Sequence, residues 1–161
     1  MGRRARASQR GFTTIKNLKN ALECSGVVDF LLEDGFEHTI RENFDCRHDR
    51  WCLNIIGALK KSIGDRGDVT YGRAAKLIAV YLKSMILMTE YIDTPIAWHV
   101  HSPIDRILLQ NLAKETGMKN LKSVVWTALD RENYLDLVGT LRKIMGDESP
   151  LWVLDEKYWK I

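Results

Sequence analysis

The sequence predicts an all-α protein, a compact bundle of about seven to nine helices. Apolar residues recur three and four positions apart along nearly the whole chain. The gaps between these runs hold helix caps and stops rather than hairpin turns. Only Val124 to Thr127 has the character of a strand, and it is short.

The elements follow in order. Residues 1–12 carry Arg3, Arg4, Arg6 and Arg10 among Gly2, Ser8 and Gln9, the pattern of a flexible basic arm, which leaves residues 13–161 as a single helical domain. Ile15, Leu18, Ala21 and Leu22 give a first amphipathic helix, ended near Gly26. Val27 to Glu33 and Phe36 to Phe44 read as two short helices separated by Asp34-Gly35. Trp51, Ile55, Leu59 and Ile63 recur at helical spacing before Gly64 stops the run. After the loop Gly64 to Asp68, Thr70 is placed to cap the longest helix, which continues through Ala74, Ile78, Tyr81, Leu82 and Met85 until Asp93-Thr94-Pro95 breaks it. Ser102 suits the N-cap and Pro103 the first position of an apolar helix that runs to Gly117. Asp105 then falls on the third position, where free backbone N–H groups and the helix dipole favour an ionised carboxylate. Tyr134, Leu135, Val138, Leu141 and Ile144 form a further helix closing at Gly146, and Ser149-Pro150 starts a terminal one with Leu151, Trp152, Leu154, Tyr158 and Trp159.

Composition narrows the function classes. With 45% hydrophobic residues, 161 residues suffice for a real core. No run of 18 uncharged apolar residues is present, so no membrane span is expected, and the basic N-terminus lacks the apolar stretch of a secretion signal. Three cysteines form no repeated framework, which favours a reducing, cytoplasmic setting. The net charge of +3 is uneven: the first 20 residues hold six cations and no acid, so the body carries a net −3. A basic arm suits phosphate backbones, and any nucleic-acid contact on the body must be local. Cys46 and Cys52 flank His48, but their spacing is not the compact pair of a zinc module, and no metal or cofactor is expected.

Two stretches carry chemistry together: Tyr71-Gly72-Arg73-Ala74-Ala75 opening one helix, and Pro103-Ile104-Asp105 opening another. This order resembles the helix-hairpin-helix DNA glycosylases, the superfamily of endonuclease III and the 8-oxoguanine glycosylases, over roughly residues 50–117. The resemblance implies a helical enzyme, monomeric and without a cofactor, that flips a damaged or modified base out of double-stranded DNA and hydrolyses its N-glycosidic bond. The damaged base implies repair; a modified base in foreign DNA implies defence. Asp105 would stabilise the cationic sugar, and Tyr71, Gly72 and Arg73 would grip a phosphate beside the arm's Arg3, Arg4 and Arg6. Trp98, His99, His101 and Trp51 are the candidates for the base pocket. The chain departs from the pattern in its hairpin, where four residues separate Gly67 from Gly72. The family's lysine nucleophile would fall on Ala74; Lys76, two residues further round the helix, is expected to point elsewhere, so a monofunctional enzyme is expected, with Lys76 as the remaining candidate amine. Two other readings compete. One is a non-catalytic helical DNA-binding module; the other is a helical ribonuclease using Arg41 and His48, an arginine and histidine spaced to share a phosphate.

Overall fold

The computed structural model describes residues 13–33, 40–64, 68–146 and 148–159, and these are all-helical, with no strand among them. The arm with Arg3, Arg4 and Arg6 lies outside the described residues. Seven α-helices follow in order: α1 (Ile15–Ser25), α2 (Val27–Leu32), α3 (Arg41–Ile63), α4 (Tyr71–Leu82), α5 (Arg106–Thr116), α6 (Arg131–Met145) and α7 (Val153–Tyr158). Among the described residues, no helix is long and apolar enough to cross a membrane.

Helix α3 is the axis of the molecule. Phe44, His48, Trp51, Cys52, Ile55, Leu59 and Ile63 recur at three and four residues and are all buried. Against this stripe lie α1 on one side and α4 on the other. The core continues through Ala74, Ala75, Ile78 and Leu82 of α4, Leu108, Leu109 and Leu112 of α5, Val138 and Leu141 of α6, and Leu154 of α7. At about 25 cal/mol per Å² of apolar surface, side chains of this size each contribute on the order of 1.5–3 kcal/mol when fully buried.

The helix ends are fixed by their own residues. Thr14 accepts from the Asn17 N–H, Thr70 from Arg73, Asp105 from Leu108 and Asp130 from Asn133. Gly26 and Gly117, at φ 88° and 74°, close α1 and α5 in the left-handed conformation that glycine adopts without strain.

Four expectations are corrected. The helices expected around Phe44 and from Trp51 are one: α3 runs unbroken through Asp45 to Arg50, because that polar stretch finds partners inside the fold. Helix α4 is shorter than expected, giving way to a π turn over Lys83–Leu87 and then to 3-10 turns at Glu90–Asp93 and Pro95–His99. Strand-like Val124 to Thr127 leads instead into a 3-10 turn at Trp126–Ala128. Finally, Asp105 is the N-cap of α5 rather than its third residue. Its carboxylate takes the capping role expected of Ser102, and Ser102, Pro103 and Ile104 are buried ahead of the helix.

Gly72 governs how α4 meets the chain beyond α5. A Cβ built there would stand 2.1 Å from the Trp126 carbonyl oxygen. Its N–H donates to the Leu129 carbonyl at 3.0 Å, and the neighbouring Thr70 hydroxyl donates to the Thr127 carbonyl at 2.8 Å. The 126–129 segment is thus clamped to the start of α4 at a distance that only glycine permits. Gly72→Ala is expected to lower the stability by at least about 1–3 kcal/mol, the range for forced overpacking. Gly57 in α3, where an added Cβ meets nothing within 4 Å, is the contrast. Gly57→Ala should raise stability by roughly 0.5–1 kcal/mol through helix propensity, and urea unfolding midpoints of the two variants check both signs.

Candidate active site

Helices α4 and α5 bring Lys76 to Asp105. The ammonium lies 3.2 Å from Asp105 Oδ2, with Lys76 about a quarter exposed and Asp105 at 15%. Lys76 was expected to point elsewhere; one turn along α4 from Gly72, its long side chain reaches the cap of α5. The other Asp105 oxygen accepts the Leu108 N–H at 3.0 Å, and the Trp159 indole N–H donates to Oδ2 at 2.9 Å. Three donors therefore hold one carboxylate. Burial works to raise its pKa, but the Leu108 N–H, the Lys76 charge and the Trp159 indole together hold it below the usual carboxylate range. Asp105 is thus an anion at neutral pH, suited to stabilising positive charge and unsuited to donating a proton.

Two indoles flank the pair. The Lys76 ammonium sits 4.5 Å from the Trp126 ring centre, and Trp126 is there because Gly72 admits its backbone. Trp159 is held from the other side: α7 packs on α5, and Asn111 of α5 donates to the Tyr158 carbonyl at 2.8 Å. Neither tryptophan is among the residues that the sequence singles out for chemistry. Nothing in local spacing marks them, because each reaches the site through a tertiary contact.

Behind this site lies a buried polar network. His101, four residues before Asp105, places Nε2 at 3.2 Å from Asp45 of α3 and Nδ1 at 3.1 Å from the Tyr134 hydroxyl of α6. Arg142 of α6 grips Asp45 with two hydrogen bonds of 2.7 Å. One turn along α3, Asp49 is held by Arg131 of α6 and accepts the Tyr71 hydroxyl at 2.9 Å. His48 stacks between these groups, with its ring centre 4.3 Å from that of His101, and touches Cys52. In a neutral His101, Nε2–H donates to Asp45 and Nδ1 accepts from the Tyr134 hydroxyl.

Comparison with known proteins gives no match. No family model matches the chain, nor does any curated protein or solved structure. The site must be read from its own geometry.

That geometry separates the residues singled out in the sequence. Asp105 and Lys76 are brought together. Tyr71 and Gly72 are buried, and the Gly72 N–H is held by the Leu129 carbonyl rather than turned to a DNA phosphate. Arg73, next on α4, is half-buried. Trp51 is a core residue at 3% exposure, and His101 is enclosed in the network at 2%, so neither faces a base pocket. Trp98 is exposed and lines a cleft with His99 and Arg41. His48 is buried, which removes the histidine that a ribonuclease would present to RNA. Cys46 is exposed while Cys52 is buried, and among the described residues no cluster of His, Cys, Asp and Glu is arranged to hold a metal.

The histidine pair makes stability depend on pH. Burial lowers the pKa of both His48 and His101 below the ordinary 6.5, for His48 well below; Asp45 opposes the shift, most for His101, and positive neighbours add to it. The unfolded chain then binds more protons than the folded one just below pH 6.5, so the contribution is present above that pH and lost as pH falls. The urea midpoint is expected to decline steadily from pH 7 to pH 5. His48→Gln, which removes the less supported imidazole, should flatten that slope even where it lowers the midpoint itself.

Proposed function

We propose that the protein is a DNA N-glycosylase that excises a damaged or modified base, with Asp105 and Lys76 as the reacting pair. The observation that carries this reading is a fixed, ionised carboxylate 3.2 Å from an amine, flanked by two indoles at the surface end of a helical bundle. Breaking an N-glycosidic bond builds positive charge on the deoxyribose, and a preorganised anion beside the sugar lowers that barrier. Water attacks the sugar carbon as the N-glycosidic bond breaks, the bond's electron pair leaves with the base, and the proton that the water loses ends on that base. The exposed Trp159 offers a flat apolar face to a base extruded from the duplex, an interaction worth about 1–3 kcal/mol per stacked base. Lys76 guides the sugar's phosphate or, once unpaired from Asp105 and deprotonated, attacks in place of water.

With the Gly72 N–H held by the Leu129 carbonyl, this reading gives the grip on DNA mainly to side chains. That is a departure from the resemblance on which the expectation was built.

The test is base release from a panel of duplex and phage DNAs carrying damaged or naturally modified bases, followed by alkali to reveal abasic sites. Asp105→Asn keeps a good helix cap while removing the charge, and is expected to abolish release with DNA affinity almost unchanged. Borohydride added during turnover traps a Schiff base if Lys76 is the attacking group and traps nothing if water is. Salt-sensitive DNA binding with no product dependent on Asp105 would identify a non-catalytic binding module instead.

A further inference from the structure

A groove of about 410 Å³ runs between α1 and α3, and none of the residues around Asp105 lines it. The Asn54 amide donates at 3.0 Å to the carbonyl of Ser25, the last residue of α1, and Asn20 lines the groove together with Lys61. The two helices therefore run in opposite directions, and the end of α3 comes beside the start of α1. Lys16, one turn before Asn20 on the same face, and Lys19 stand at that end with Lys60 and Lys61, and all four are exposed. The positive end of α1 and the negative end of α3 carry about half a charge each and oppose one another there, so the four ammonium groups set the field. Among the described residues no carboxylate lines the groove, and the one acid of α1, Glu23, lies towards the other end of that helix. Neither the Asn20 amide nor the Lys61 ammonium has a hydrogen-bond or ion-pair partner among the described residues. Gly57 opens the floor, since a Cβ there would meet nothing within 4 Å. Leu53, at 50% exposure, is the one large apolar side chain in the described lining, too little to seat the apolar face of a partner helix.

We propose that this groove holds the phosphodiester backbone of DNA, with phosphates on Lys16 and Lys61 and the Asn20 amide donating to a backbone oxygen. The proposal rests on the nucleic-acid partner of the reading above and not on base excision. Lysines on a flexible stem meet phosphates as point charges, and each phosphate they neutralise releases counterions. Contacts of this kind position a strand without reading its sequence. The groove is thus a local nucleic-acid contact on the body of the protein, at the end of α1 where residues 1–20 carry six cations and no acid.

The double variant Lys16→Gln/Lys61→Gln is compared with Lys114→Gln/Lys143→Gln, an equal loss of charge at exposed positions of α5 and α6, and thermal melts establish that both fold. In anisotropy titrations of a labelled DNA duplex over a range of salt, the groove variant is expected to bind about tenfold or more weaker than the wild type at low salt. Its slope of log affinity against log salt should fall by about 1.8, two phosphates at about 0.9 each. The α5/α6 variant should keep the wild-type slope. Cys24 lines the groove, and Cys46 is exposed about two turns before it on α3, so alkylation by iodoacetamide reads occupancy against an internal reference. Duplex DNA is expected to slow alkylation of Cys24 several-fold and to leave Cys46 unchanged, as measured by peptide mass spectrometry. Equal losses in the two double variants, or no protection of Cys24, overturn the proposal. Polyglutamate that protects Cys24 as well as DNA does also overturns it, in favour of an acidic protein. With Asp105→Asn the protection should match the wild type. Protection without base release overturns the glycosylase reading alone, and base release without protection overturns this one alone.

Discussion

The contact on which the rest of the structure depends is Asp45 with His101, Arg142 and Tyr134. It ties α3, the segment ahead of α5 and α6 into one buried junction. Asp45 is half-buried, and what hydration its carboxylate loses is compensated by an arginine fork and an imidazole together. Because Arg142 already balances Asp45, the imidazole has no need to be charged and can be fully enclosed. The junction also fixes the stretch of chain that delivers Asp105, four residues on. Replacing one partner leaves the others buried and unmatched, which is why this polar cluster binds the fold more tightly than its net stabilisation implies.

From that junction the site is assembled by backbone proximity rather than by a binding loop. Gly72 lets the 126–129 segment rest on α4, which sets an indole beside Lys76. Asn111 and the packing of α7 on α5 set a second indole on Asp105. Each of the four groups comes from a different element, and none is close in sequence to any of the others.

How much of this was legible in the sequence depends on the range of the interaction. Caps and stops are local chemistry, so Thr70, Gly26, Gly117 and Gly146 were readable at once. The periodic apolar faces of α1, α3, α4, α5 and α6 were equally plain. The polar run from Asp45 to Arg50 looked like an interruption because its partners, His101, Arg131 and Arg142, lie far along the chain. The reach of Lys76 was misjudged for a related reason: counting helix turns fixes the direction of a Cβ, while a four-carbon stem covers several ångströms beyond it. Asp105 itself was legible as a carboxylate at a helix start. Its exact position there was not, since Ser102 and Asp105 both suit a cap and only packing of Pro103 and Ile104 decides between them.

That decision ties two requirements to a single side chain. As the cap of α5, position 105 tolerates serine, threonine or asparagine, none of which carries charge. As a partner for Lys76 it tolerates glutamate, whose extra methylene moves the carboxylate away from the Leu108 N–H. Only aspartate meets both demands, so among sequences sharing this architecture the position has no neutral neighbour in sequence space. Drift there would first have to give up either the helix start or the anion, and a lineage that kept the fold but lost the charge would leave asparagine or serine as the trace of a lost ion pair.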